Sequence, residues 1–373
     1  MSEIYLVFVV FLFVLAVFDL MVGVSNDAVN FLNSAIGAKV AKFRTIIIVA
    51  AVGVFMGATM SNGMMEVARN GVFHPAMFSL KELMFIFLAV MISDVILLDI
   101  FNNLGLPTST TVSLVFELLG GTTAFVLLKL ANDTTGLTVG DLMNTEKALG
   151  MIMAIFVSVA IAFFFGIVLQ YISRLVFTFT YKKNLKWKIG IFGGVATTAI
   201  FYFMLFKGIK SMSFVTPEIY EYIQNHTLTI LGICFLASTA IMQFLYFLKV
   251  NVFKILVLMG TFALAMAFAG NDLVNFIGVP LAGYSAYTDF AASGASDPST
   301  FMMSSLEGPA KSPMIFLVAA GAVMVFSLAT SKKAHNVIKT SVDLSRQSEG
   351  DEMFGSSKIA RVLVRFSNNT ANF

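Results

Sequence analysis

Two short stretches place amide and carboxylate side chains inside apolar surroundings. Gly23–Gly37 reads GVSNDAVNFLNSAIG and carries Asn26, Asp27, Asn30 and Asn33. Ala269–Gly283 reads AGNDLVNFIGVPLAG and carries Asn271, Asp272 and Asn275. Both contain the pattern N-D-x-V-N-F. An ionisable group at bilayer depth is costly unless it is paired or hydrated, so Asp27 and Asp272 mark a functional site. The plainer reading is an interhelical hydrogen bond that holds a bundle together. Glycines at 23, 37, 270, 278 and 283, with Pro280, permit the helix to break beside each motif. A broken helix would free carbonyls that, with the carboxylates, suit a hard cation such as Na⁺, and N–H groups that suit an anion.

A third stretch, NNLGLPTSTTVS, runs from Asn102 to Ser113. Pro107 pre-sets a helical first turn, and Thr108, Ser109, Thr110 and Thr111 follow it. Hydroxyls at a helix N-terminus, where amides are unpaired and the dipole is positive, make an anion cradle; an ordinary N-cap needs only one of them. No lysine or arginine falls within the three motifs. An anion that only accepts hydrogen bonds would sit badly beside two aspartates. A protonated phosphate can donate one to a carboxylate, whereas sulfate at neutral pH cannot. The residues therefore lean toward phosphate with a coupled cation. Asp19, Asp94, Asp99 and Glu117 also lie in apolar runs, and Glu66 opens a polar loop with Arg69. For these acids structural pairing and a transport role stand level.

The elements that must position these groups are membrane helices. The 373 residues are 58% hydrophobic and only 12% charged, about half the charge of a soluble domain. The mean hydropathy is +0.88. Apolar segments lie near 4–24, 46–60, 83–101, 112–130, 148–173, 189–206, 227–248, 253–269 and 313–330. Each should be helical, because lipid-exposed backbone must satisfy its own hydrogen bonds; barrel strands would be half as long and alternate in polarity. Cys234 is the single cysteine, which excludes an internal disulfide and a cysteine metal site. His74, His226 and His335 are scattered and read as loop or interface residues. The first apolar run follows Glu3 instead of a basic start and has no small-residue cleavage site, so it reads as a span and not a signal peptide.

Loop charge orients the spans. Lys39, Lys42 and Arg44 follow the first segment, Arg174, Lys182, Lys183, Lys186 and Lys188 precede 189, Lys249 and Lys254 flank a short connection, and Lys332, Lys333 and Lys339 begin the tail. The loop 131–147 is instead mostly acidic, with Asp133, Asp141 and Glu146. Basic loops face the cytoplasm, and nine crossings with the N-terminus outside satisfy every loop. Segments one and eight then run in opposite directions, so their matching motifs point to an inverted-topology repeat. Residues 1–330 form the transmembrane domain, with a first repeat over about 1–173 and a second, incomplete one from about 226. Residues 331–373 form a polar cytoplasmic tail or connector, in which Ser357–Phe366 spaces basic and apolar residues like an interfacial helix. Gly53 and Gly57 have the spacing of a helix-packing pair, most simply within one chain.

VSNDAVN (24–30), GLPTSTT (105–111) and AGNDLVN (269–275) together resemble the inorganic phosphate transporter (PiT) family of cation–phosphate symporters, over roughly 1–330. The resemblance implies that Asn26, Asp27, Asn30, Asn271, Asp272 and Asn275 build the cation site, with Na⁺ as the metal bound there. It implies that Ser109, Thr110 and Thr111 face phosphate from a re-entrant hairpin, with Asp27 and Asp272 sharing that site. Three features depart from the family pattern. Val24-Ser25 stands where Gly-Ala is usual, Val112 where a histidine is common, and no second Pro-x-Ser-Thr-Thr follows Gly283. The chain thus resembles an N-terminal portion of a longer transporter, to be completed by a C-terminal half or by a second copy in a homodimer.

The resulting expectation is an all-α polytopic membrane protein with an inverted-topology repeat, broken helices and a re-entrant hairpin. It would be a multi-pass protein of the cell (inner or plasma) membrane, carrying inorganic phosphate with Na⁺ or a proton by alternating access. Its partners would be phosphate, the coupling ion and the lipid bilayer, with no nucleic acid, no catalytic residue and no cofactor beyond the transported cation. A sulfate or other oxyanion permease of the same architecture is the nearest alternative. An ion channel would favour a symmetric pore loop in an oligomeric ring. An intramembrane hydrolase would use the two aspartates as an acid–base dyad.

Overall fold

The structure, a computed structural model, describes residues 2–61, 67–132, 136–178, 181–204, 216–308 and 312–344, together with Val362. Glu66, Asp133 and the interfacial helix expected over 357–366 lie outside the described residues. Among the described residues the chain is helical, with only two isolated β-bridges, Phe73–Met143 and Ser79–Met302. The α-helices are α1 (Ser2–Gly37), α2 (Phe43–Met60), α3 (Leu80–Leu104), α4 (Thr110–Ala131), α5 (Val139–Leu142), α6 (Thr145–Phe177), α7 (Lys188–Phe203), α8 (Pro217–Asn225), α9 (Thr227–Phe247), α10 (Val252–Ser293), α11 (Met314–Thr330) and α12 (Lys332–Leu344).

All nine apolar segments are helices, but the count of nine crossings needs correction. Seven described helices (α1, α2, α3, α4, α6, α9 and α10) are long and apolar enough to span, or eight if α11 and α12, bent by 67° at Ser331, act as one. α7 and α11 have 16 and 17 residues, about 24–26 Å at 1.5 Å per residue, short of the roughly 30 Å hydrocarbon core.

The expected breaks at the two aspartate motifs are not there. α1 runs unbroken for 36 residues through Asn26 and Asp27. α10 runs for 42 residues through Asn271 and Asp272, with Pro280 inside it. Glycine permits a break without forcing one, and a membrane helix tolerates proline where neighbours take up the freed backbone groups. The motif side chains find their partners laterally, so no local carbonyl has to be released for them. The chain breaks instead between α3 and α4. Gly105 ends α3 with φ of 67°, the left-handed cap that glycine adopts without strain, and Pro107 then prevents the helix from resuming until Thr110.

α3 and α4 form the expected hairpin, but at 25 and 22 residues each has spanning length. A capping box starts α3: Glu82 N–H donates to Ser79 Oγ and Ser79 N–H to the Glu82 carboxylate. Lys129, near the end of α4, reaches Glu82 at 3.0 Å and closes the open end of the hairpin.

α1 and α10 are the shared wall of two apolar cores. One core packs them against α2, α11 and α12, the other against α3 and α4. Residue pairings fix the directions. Gly23 lies under the Phe276 ring and Gly283 against Leu12, so α1 and α10 are antiparallel. The two aspartate motifs therefore do sit on oppositely directed helices. Gly53 meets Phe262 and Gly57 meets Met266, so α2 runs parallel to α10. α7 and α9 pack beside the start of α10 around Met242 and Val252, while Phe163 on α6 is 72% exposed and faces outward.

The loops collect at two ends. His74 N–H bonds Leu142 O, and Leu80 N–H bonds Phe301 O. Buried Arg69 donates to the carbonyls of Ser305 and Leu306. At the opposite end α12 lies across the C-terminal ends of α1 and α3. Asn33 donates to Ser341 Oγ at 2.9 Å, Lys333 pairs with Asp99, and Phe43 stacks edge-on with His335. That end carries Lys39, Lys42, Arg44, Lys332, Lys333 and Lys339, so it is the cytoplasmic one.

A Cβ added at Gly57 would stand 2.0 Å from the Met266 carbonyl oxygen. Gly57→Ala should therefore destabilise the protein by about 1–3 kcal/mol through overpacking, read as a lower unfolding temperature in detergent. An unchanged temperature would mean that α2 and α10 do not meet here.

Candidate functional site

The site forms where the α3–α4 turn meets the two long helices. Asn26 is fully buried and holds the turn in place. Its Nδ2 donates to Asn102 Oδ1 at 2.8 Å and to Leu106 O at 3.0 Å, and its Oδ1 accepts from Thr108 N–H at 2.8 Å. Asn102 is buried as well and donates to Val22 O at 2.7 Å. Irregular backbone inside a membrane bundle requires such partners. Asn26, expected at the cation site, is here a positioning residue that seats the turn.

The next side chain on α1, Asp27, points into a cavity of about 480 Å³. Asn30, one turn later, and Asp272 from α10 line the same space. Pro107 and Thr108–Thr111 close it from the turn, and Phe268 supplies an apolar wall. Thr110 Oγ1 donates to Asp27 Oδ2 at 3.3 Å. Thr111 Oγ1 approaches Asp272 Oδ1 at 3.5 Å and accepts from Asn275 Nδ2 at 2.8 Å. Asn271 Nδ2 donates to Asp272 at 3.1 Å. Thus Asp27, Asn30, Ser109, Thr110, Thr111 and Asp272 are brought to one cavity; Asn275 and Asn271 stand behind Asp272, and Asn26 stands behind the turn.

Two further properties decide what this cavity can hold. Asp27 and Asp272 are close enough to repel each other, and among the described residues no lysine or arginine lines the space. α4 also begins here. Ser109 Oγ accepts from Val112 N–H at 3.3 Å, which leaves the amides of Thr110 and Thr111 at the mouth without an intrahelical acceptor. One side of the cavity is thus anionic and the other a helix N-terminus with hydroxyls.

The model of the phosphate transporter family matches residues 23–341. The chain belongs to the phosphate transporter family. A solved structure described as the sodium-dependent phosphate transporter aligns with a TM-score of 0.63 at 17% identity, covering 90% of this chain and 82% of that one; at that identity the likeness speaks for the fold. No curated protein matches. Membership makes this a multi-pass membrane transporter and not an enzyme, which removes the hydrolase reading.

The residues that sequence reasoning passed over are structural partners of the site. Asn102 stands in the quoted stretch before Gly105, and an amide so deep in an apolar segment was the available signal. Phe268 carried none. Ser25, a departure from the family pattern, has a specific use: its Oγ lies 2.7 Å from Ser331 Oγ, and Ser327 Oγ donates to Met21 O at 2.9 Å. These contacts fasten the α11–α12 bend to α1 one residue before Asn26.

Removing Asn26 would strand the Thr108 amide and the Leu106 carbonyl. Asn26→Ala should lower stability by about 1–3 kcal/mol and weaken phosphate binding, although the side chain does not line the cavity. Thermal unfolding and equilibrium binding of labelled phosphate measure the two effects; wild-type values for both would contradict the latch.

Proposed function

We propose that this transporter carries inorganic phosphate together with a cation, Na⁺ or H⁺, by alternating access, with phosphate bound between the turn and the two aspartates. The observation that carries this reading is the convergence in one cavity of carboxylates from two antiparallel helices and the hydroxyl-bearing N-terminus of α4.

The hydroxyl bonds supply a physical basis for coupling. A threonine hydroxyl has one proton to donate. In the structure, Thr110 gives it to Asp27 and Thr111 directs it at Asp272. A cation on the carboxylates takes over that role and frees both hydroxyls to turn to phosphate. The cation also offsets the repulsion between the carboxylates and the arriving anion. Each ligand then strengthens the binding of the other, and the linkage is reciprocal. The Asn271 and Asn275 amides hold Asp272 in place while the hydroxyl rotates. Phosphate is favoured over sulfate because its own hydroxyl can donate to a carboxylate left uncovered.

Reconstituted vesicles should accumulate radiolabelled phosphate only under an inward Na⁺ or proton gradient. Asp27→Asn and Asp272→Asn should abolish uptake in protein that still runs as a single folded species. Equal accumulation of labelled sulfate would favour the oxyanion permease. Thr111→Val should leave binding in cation-free medium nearly unchanged but diminish the gain produced by added cation, since Thr110 and the charge offset remain. A full cation-dependent gain in that variant would sink the proposed hydroxyl exchange.

A further inference from the structure

A second group of acids lies one to two helical turns outward from the cavity. Asp19 on α1 and Asp94 on α3 are completely buried, and Glu117 on α4 has a buried oxygen beside them. Asp19 faces Asp94 directly, with Glu117 next to both. Four oxygens here, both of Asp19, Oδ2 of Asp94 and Oε2 of Glu117, have no hydrogen-bond donor among the described residues. The charged groups facing Asp19 are Asp94, Glu117 and, along its own helix, Asp27, and all of them are acidic. Asp94 meets Asp19, Glu117 and the Ser113 hydroxyl, and Glu117 meets Asp94 and the same hydroxyl. No basic side chain enters from any of the three helices.

Counting protons settles what this arrangement requires. Ser113 Oγ lies 2.7 Å from Asp94 Oδ1 and 3.0 Å from Glu117 Oε1. A hydroxyl donates once. For both contacts to be hydrogen bonds, one carboxyl must carry a proton and donate it to Ser113. The neighbouring carboxyls of Asp19 and Asp94 repeat the demand, because two bare carboxylates buried side by side with no basic partner repel each other.

We propose that Asp19, Asp94, Ser113 and Glu117 form a proton-binding site, separate from the phosphate cavity, that loads and releases a proton during transport. The proton comes from the outer solution, is held on a carboxyl oxygen of the cluster, and leaves to the inner solution as the helices rearrange. Asp19 shares α1 with Asp27, and Glu117 shares α4 with Thr110 and Thr111, so loading the cluster and filling the cavity bias the same two helices. The coupling to phosphate rests on the function proposed above; the existence of the proton site does not.

The test uses the full-length protein. Infrared spectra of the wild type at neutral pH should show a protonated-carboxyl band that shifts in heavy water. The band should be reduced in Asp94→Asn and in Glu117→Gln, and unchanged in Asp99→Asn, whose carboxylate is on the surface. The amide variants keep the shape of the neutral acid and should remain folded, with labelled phosphate still bound by the purified protein. In vesicles without sodium, an inward acid gradient should drive phosphate accumulation by the wild type, and in Asp19→Asn and Glu117→Gln this should fall to the level of protein-free vesicles. Absence of the band, full acid-driven uptake by these variants, or a wild type driven by sodium with no response to acid would each overturn the proposal. So would thermal stabilisation by sodium that is present in the wild type and lost in the variants. A wild type that takes up no phosphate yet shows the band would defeat the transport function and leave the proton site standing.

Discussion

The site depends on one buried amide. Asn26 donates to Leu106 O and accepts from Thr108 N–H, and so ties the α3–α4 break to an unbroken α1. Exposed peptide groups cannot be left bare at this depth. With Asn26 and Asn102 in place the turn is satisfied from the side, and everything that follows it has a defined position: the N-cap at Ser109, the hydroxyls of Thr110 and Thr111, and the start of α4. The aspartate one position further along α1 then faces those hydroxyls. Neighbouring residues of one motif thus divide the work, one supporting backbone and the other lining the cavity.

This arrangement gathers the cavity's polar side chains without breaking either motif helix. At the cavity the irregular backbone is Gly105–Ser109, and the long helices contribute side chains. A stiff α1 and a stiff α10 bring opposed directions to one cavity, so a tilt of one against the other changes the distance between Asp27 and Asp272. Close contacts such as Gly57 on Met266 keep α2 moving with α10. On the alternating access proposed above, the parts that tilt would be α2–α10 on one side and α1 with the α3–α4 hairpin on the other.

Much of this was legible in the sequence, for identifiable reasons. Hydropathy located all nine apolar helices, because lipid imposes an apolar composition on each; the length needed to span was met by seven. Lys39, Lys42 and Lys332 oriented them, and the opposed motifs followed. Asp27, Asp272 and the Thr-Ser-Thr-Thr run announced themselves as polar groups in apolar stretches. The break was misplaced because Gly270 and Pro280 signal only that a helix is free to bend; whether it does depends on whether its polar side chains find partners on other helices. The role of Asn26 was hidden for the same reason, since a ligand and a latch are spelled with the same amide. Asp19, Asp94 and Glu117 stand in three separate segments, and nothing in their spacing says that they meet.

The bend at Ser331 has a consequence for the inner side. α12 lies crosswise beneath the turn, with Thr340 against Gly105, Ser341 on Asn33 and Lys333 on Asp99. It forms a floor beneath the turn, held by buried Ala334, Val337 and Ile338 as well as by hydroxyl contacts and one half-exposed ion pair. The polar contacts are individually weak, whereas the buried apolar face fixes the helix to the core. On the alternating access proposed above, release to the cytoplasm would call for lifting this floor from its apolar seat, not for unravelling α1 or α10.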